Sequence, residues 1–149
     1  VLKEGDRAPA FSLPNQFGEQ ISLDELLKQG ELLLYFYPAD FTPVCTAEAC
    51  AFRDRYAELR AAQANVIGIS PQSVASHKRF ADTFSVPFSL LFDEGKKTIR
   101  AYGVDGPLGF GVRRATFRIG VDGIVKQRVL SDLFVGSHLK LANDMVKLG

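Results

Sequence analysis

The stretch ELLLYFYPADFTPVCTAEAC, residues 31–50, decides the fold. Its first half is an apolar run that stops at Pro38, which reads as a central strand covered on both faces. A short polar turn follows. From about residue 43 to 62 the apolar positions Ala49, Phe52, Tyr56 and Leu59 recur at three or four, the spacing of a helix. Cys45 falls near the first turn of that helix, and Cys50 lies five positions on. Cysteine reactivity follows thiolate fraction, and helix N-termini favour thiolates by offering positive partial charge and free N–H groups. These are the only two cysteines among 149 residues, so the whole thiol inventory sits at one strand-to-helix junction.

Working outward, residues 10–13 and 19–22 alternate around Pro14 and Gly18 and read as a short hairpin. Ser22 and Glu25 have the spacing of a capping box, which starts a short helix ending near Gly30. Residues 65–70, NVIGIS, form a second buried strand; 73–84 reads as a helix and 88–92 as a short strand. Asp93 is placed to cap a helix running to about Tyr102, and the glycine-rich segment 103–113 is a loop. Residues 114–119 alternate, with Ala115, Phe117 and Ile119 on one face and Arg114, Thr116 and Arg118 on the other. Val121, Asp122 and Gly123 make a hairpin turn, 124–130 returns antiparallel, and 137–148 closes the chain as a helix. Strands alternating with helices imply an α/β fold. A strand–helix–strand start with a late hairpin and helix is thioredoxin-like: a central mixed sheet, helices on both faces and an N-terminal hairpin extension. Nothing marks a repeat or linker, so residues 1–149 read as one domain.

Composition narrows the function. An apolar content of 46% fills a core and argues against disorder. A net charge of +1 argues against a nucleic-acid or anionic-membrane surface acting through bulk charge. No apolar run approaches the roughly 20 residues needed to span a bilayer. The opening residues, VLKEGDRAPAF, lack the apolar core of a signal peptide, so a cytoplasmic location is expected, although a chain whose leader had been removed would read the same. Two cysteines are too few for a disulfide framework or a four-ligand structural zinc site. The loop at 103–111 lacks the spacing of a nucleotide-binding turn. No metal or organic cofactor is expected.

Pro38, Thr42, Pro43, Cys45 and Glu48 together resemble the active-site signature of the peroxiredoxins. Cys50, five residues after Cys45, resembles the bacterioferritin-comigratory, or Q-type, subgroup. The segments GDRAPAFSLPNQFGEQISL, YFYPADFTPVCTAEACAFRDRY, VIGIS, FSLLFDE and RATFRIGVDG resemble family segments in family order, over about residues 5–148. The resemblance implies a thioredoxin fold and reduction of hydrogen peroxide and alkyl hydroperoxides. Cys45 would be the peroxidatic cysteine and Cys50 the resolving one. Arg114, standing before Ala-Thr-Phe, matches the family's active-site arginine, and Glu48 would orient it. The recycling reductant would be thioredoxin or a similar dithiol protein, and the subgroup resemblance leans towards a monomer. The 103–113 loop is short beside many relatives of the subgroup.

Peroxide reduction requires a thiolate, donors that hold the peroxide in line, and charge stabilisation as the O–O bond breaks. Thr42, three residues before Cys45, can donate to its sulfur or to a peroxide oxygen. Pro38 can shield the thiolate from water. A Glu48 carboxylate disfavours a thiolate by charge alone, which points to a hydrogen-bonding role. Each residue also has a plainer reading: Cys45 and Cys50 as packing residues, Thr42 as a turn residue, Pro43 as an N1 proline, Glu48 as a first-turn carboxylate. Arg113 and Arg118 rival Arg114 but read as solvated charges, Arg53 and Asp54 as an ion pair, and His77 and His138 as surface residues. Phe41, Phe110, Leu133 and Phe134 either line the site mouth or cover the core. Five residues of helix rise about 7.5 Å and turn about 500°, which sets the two Cα atoms roughly 8.5–9 Å apart. Disulfides need less than about 7 Å, so a Cys45–Cys50 bond requires the helix to unwind. Two rival functions stand beside peroxidase. A general disulfide oxidoreductase lacks its Cys-x-x-Cys here; a redox-sensing or binding module would use the same disulfide as a switch.

Overall fold

The computed structural model describes residues 1–148. The N-terminal hairpin pairs β1 (Ser12–Pro14) with β2 (Gln20–Ser22), antiparallel. Helix α1 (Leu23–Leu27) follows, and Ser22 accepts from the Glu25 N–H at 3.3 Å. Only that half of the capping box forms, because the Glu25 carboxylate turns outward to Lys28 instead.

The main sheet has five strands: β3 (Glu31–Phe36), β4 (Ala64–Ser70), β5 (Ser89–Phe92), β6 (Ala115–Ile119) and β7 (Val125–Leu130). Their spatial order is β5-β4-β3-β6-β7. The β3–β4 and β4–β5 pairs are parallel; β3–β6 and β6–β7 are antiparallel. Successive strand residues face opposite sides, so β3 feeds two cores. Leu32, Leu34 and Phe36 join α1, helix α4 (Lys97–Ala101) and the N-terminal segment on one face. Leu33, Tyr35 and Tyr37 meet α2 (Pro43–Ala61), α3 (Val74–Phe84) and α5 (Val135–Leu148) on the other. This is the mixed, doubly covered sheet expected from the alternation of strands and helices. No helix among the described residues is long and apolar enough to cross a membrane.

Two features differ from expectation. Asp93 directly precedes only a kinked 3-10 turn, Glu94–Lys96, and not the α-helix itself. Gly95 and Lys96 take left-handed φ values of 72° and 61°, so α4 starts only at Lys97. The Asp93 carboxylate still caps it from across that turn, accepting from the Thr98 and Ile99 N–H groups at 3.2 and 2.8 Å. The histidines are not on the surface: His77 and His138 are both 0% exposed. His77 stands three and four residues before Phe80 and Ala81, and His138 three and four before Leu141 and Ala142, so each lies on the inward stripe of its helix.

The sheet delivers the chain to the site. β3 ends at the C-terminal edge of the parallel strands, the side on which α/β sheets carry ligands. The chain then reverses through residues 38–42 into α2. Phe41 accepts a left-handed φ of 65° there, a costly conformation for a bulky side chain. Its ring packs edge-on to Phe80, centroids 5.2 Å apart, and against Phe84 at 6.1 Å.

Candidate active site

Helix α2 begins where its sequence is best suited to begin. Thr42 is the N-cap and Pro43 occupies the first turn, where a missing N–H costs nothing. Cys45 therefore sits in the first turn, within reach of the positive end of the helix dipole. It is 1% exposed, packed with Tyr37, Ala49 and Phe52 in the core under α2. Both cysteines are free thiols; Cys50, further along the same helix, is half-buried.

Arg114 reaches this thiol from the residue that leads into β6. Its Nη1 donates to Cys45 Sγ at 3.1 Å and to Glu48 Oε1 at 3.4 Å. Its backbone N–H donates to Asp132 Oδ1 at 3.0 Å and its Nε to the Asp132 carbonyl at 3.3 Å. Burial disfavours the guanidinium charge, but the contacts with Cys45 and Glu48 outweigh that and hold Arg114 more firmly protonated than usual. Its rivals are engaged elsewhere: Arg113 pairs with the Asp132 carboxylate at 3.0 Å and Arg118 with Glu31 at 2.8 Å.

Glu48 is 0% exposed. Burial pushes its carboxyl up to about 8 despite the opposing pull of Arg114. A proton held there removes the charge penalty that a carboxylate beside Cys45 would impose. Its Oε2 has no hydrogen-bond partner and faces His138 Nδ1 at 3.5 Å.

The loop before α2 is pinned from below. Asp40 is buried and accepts from the Tyr37 hydroxyl at 2.7 Å and the Ser76 hydroxyl at 2.7 Å, and lies 2.8 Å from His77 Nδ1. The opposite His77 nitrogen lies 3.1 Å from the Leu91 carbonyl, which can only accept. Sequence reasoning missed Asp40, His77 and His138; the inward helix spacing of the two histidines was the available signal.

Thr42 donates its hydroxyl hydrogen to the Ala39 carbonyl at 3.0 Å rather than to Cys45. It closes the turn, and in this rotamer its oxygen is free only to accept. Pro38 lines a small cleft of about 260 Å³ with Phe110, Gly111, Val112, Arg113, Arg114 and Asp132. A larger hollow of about 550 Å³, between Glu31, Arg118 and Lys147, includes neither cysteine. Arg53 and Asp54 pair at 3.0 Å, and Arg53 also ties α2 to the Phe84 carbonyl at 2.8 Å, a packing role as expected. Phe41, Phe110, Leu133 and Phe134 are exposed; Phe41 nevertheless packs on the core residue Phe80, and Phe110 borders the cleft beside Arg114.

A buried thiol at a helix N-terminus, held by a guanidinium that itself lines a small cleft, suits nucleophilic attack on a small polar substrate. Comparison with known proteins agrees. A profile of the AhpC/TSA family matches residues 4–128. The chain is 40% identical over 151 residues to the chloroplastic peroxiredoxin Q of Oryza sativa subsp. japonica, covering 97% of this chain and 68% of that one. The structure of peroxidoxin BcpB from Mycobacterium tuberculosis superposes with a TM-score of 0.92 at 35% identity, covering 99% of this chain and 98% of the other. A structure of the Xanthomonas campestris bacterioferritin comigratory protein, solved to explain its alkyl peroxide reduction activity, gives 0.83 at 29% identity, covering 93% and 90%. The chain belongs to the AhpC/TSA family, in its peroxiredoxin Q and bacterioferritin-comigratory branch.

Proposed function

We propose that this peroxiredoxin reduces hydrogen peroxide and alkyl hydroperoxides through Cys45, and that Cys50 resolves the product. The observation that carries the assignment of Cys45 is the 3.1 Å approach of Arg114 Nη1 to its sulfur at the start of α2.

The thiolate of Cys45 attacks the terminal oxygen of R–O–OH. The S–O bond forms as the O–O bond breaks, leaving Cys45 as sulfenic acid and RO⁻, which takes a proton from solvent. Sulfur is oxidised and the peroxide is reduced by two electrons. Arg114 stabilises the thiolate beforehand and the charge on the departing oxygen afterwards. Pro38 and the cleft beside it limit water at the reacting sulfur. Thr42, turned from Ala39, supplies a donor to the incoming peroxide, and Glu48 holds Arg114 in place. The Cys50 thiol then displaces water from the sulfenic acid to give a Cys45–Cys50 disulfide. A thioredoxin-like dithiol reduces it. Nothing in these steps requires a metal or organic cofactor. We read residues 1–149 as one domain that acts as a monomer in the cytoplasm; the lack of a membrane-spanning helix among the described residues is compatible with that location.

The test is peroxide consumption with a thioredoxin-recycling system on wild type, Cys45→Ser and Cys50→Ser. The expected outcome is a dead Cys45→Ser and a Cys50→Ser that completes one turnover without recycling. If wild type and Cys45→Ser react alike, the assignment falls, and a disulfide-switched binding module becomes the better reading.

A further inference from the structure

We propose that His138 is a positioning residue of this site: it and Glu48 hold one proton between them, which keeps Glu48 from competing for the Arg114 charge that Cys45 needs. The inference rests on the peroxidase reading of Cys45 and adds a residue that this reading does not use.

The geometry specifies the exchange. Glu48 and His138 are both 0% exposed. The partnerless Glu48 Oε2 lies 3.5 Å from His138 Nδ1. His138 Nε2 lies 2.9 Å from the Ser131 carbonyl, an acceptor only, so Nε2 carries a hydrogen in either charge state. Nδ1 is then the position whose proton can change. Its other neighbour is the Thr116 hydroxyl at 2.7 Å, which can donate to a bare Nδ1 or accept from a protonated one. The imidazole therefore gains or loses that proton without losing a partner.

Charge balance gives the exchange a purpose. A Cys45 thiolate and the Arg114 guanidinium cancel. A bare Glu48 carboxylate then leaves one uncompensated negative charge in a buried cluster, which is costly. One proton on the pair restores neutrality, whether it sits on Oε2 or on Nδ1. The pair titrates as a unit, and the thiolate and the shared proton favour one another. Burial pushes Glu48 up and His138 down, so near neutral pH the pair holds one proton rather than two or none.

The other groups facing the pair are Cys45 on α2, Tyr35 on β3, Arg114 before β6 and Asp132 after β7. Tyr35 stays a neutral phenol, because burial pushes it well above the usual range. Asp132 stays ionised: burial opposes this, but the Arg114 N–H and Arg113 more than compensate. Arg114 stays charged. The pair is what exchanges a proton.

The experiment is the pH profile of the single-turnover rate of reduced protein with hydrogen peroxide, for wild type, His138→Asn, Glu48→Gln and the double variant. The wild-type rate constant falls at alkaline pH as the pair loses its proton. His138→Asn moves that alkaline limb to lower pH, as expected when one of two coupled proton sites is removed. Glu48→Gln abolishes the limb, and adding His138→Asn to it shifts nothing further. Superposable wild-type and His138→Asn profiles overturn the proposal, as does a shift that persists in the Glu48→Gln background. Should His138→Asn fail to fold, nitrogen-15 resonances of His138 in wild type decide: Nδ1 must titrate along the alkaline limb, and a flat Nδ1 overturns the proposal. A wild type that never reacts through Cys45 would strike the peroxidase reading instead, and the nitrogen-15 titration about pH 8 would then test the shared proton alone.

Discussion

Arg114 Nη1 stands 3.1 Å from Cys45 Sγ across 69 residues of chain, and Asp132 fixes that approach by gripping both the Arg114 backbone N–H and Nε. The guanidinium is thus preorganised, with one nitrogen aimed at sulfur and the same nitrogen reaching Glu48. A lysine ammonium is a point charge on a flexible stem and cannot keep these contacts together. Arg114→Lys should lower the single-turnover rate with peroxide by about 100- to 1,000-fold, the usual cost of one preorganised donor. Stopped-flow kinetics would measure it, and a wild-type rate in Arg114→Lys would remove Arg114 from the reaction.

Asp40 offers a second test, on stability. Burial alone would raise its carboxyl, but the bonds from His77, Tyr37 and Ser76 outweigh that and leave it below the usual carboxylate range. A carboxylate with a lowered native pKa contributes stability above the unfolded value and loses it as pH falls through the native value. Asp40→Ala should therefore cost about 3–5 kcal/mol near neutral pH, because three buried partners lose their acceptor. The deficit should shrink below about pH 4, where Asp40 of the unfolded wild-type chain takes up a proton that the native carboxylate still resists. Urea denaturation at both pH values tests this, and a deficit that is the same at both would mean that the Asp40 charge contributes nothing.

The strands were legible because the runs at 32–37 and 65–70 are apolar on both faces, which only a central strand of a covered sheet tolerates. The thiol junction was legible because a proline, a threonine and a cysteine at fixed spacing prescribe an N-cap, an N1 and a first-turn side chain. What remained hidden were side-chain partnerships across long stretches of chain. Thr42 bonds to Ala39 because the left-handed Phe41 folds the loop back on itself, and one residue's φ leaves no mark in hydrophobic periodicity. His138 reads as a polar residue on a closing helix until Thr116 and Glu48, from two other elements, converge on it. Arg114, Thr116 and Arg118 form a polar face that suggests solvent, yet all three are buried, because Glu31, His138 and Glu48 supply their partners.

Helix α2 runs unbroken from Pro43 to Ala61 and holds both thiols, so the cysteines cannot join as they stand. An intact helix sets positions five apart at roughly 8.5–9 Å between Cα atoms, beyond the limit of about 7 Å for a disulfide. Cys45 is also 1% exposed, so it must leave its core site to reach the half-buried Cys50. The helix is built to open at this end. Thr42 gives no side-chain cap bond, and Phe41 stores backbone strain just before it. Releasing the first turns relieves that strain while the remaining turns stay anchored by Phe52 and Leu59. Oxidation by one equivalent of peroxide should therefore abolish amide-exchange protection over residues 45–52, leaving the later turns of α2 protected. Cys50→Ser, which can form only the sulfenic acid, should keep its protection under the same treatment. Equal protection of residues 45–52 in reduced and oxidised wild type would exclude the intramolecular disulfide, and the resolving thiol would then have to come from another molecule.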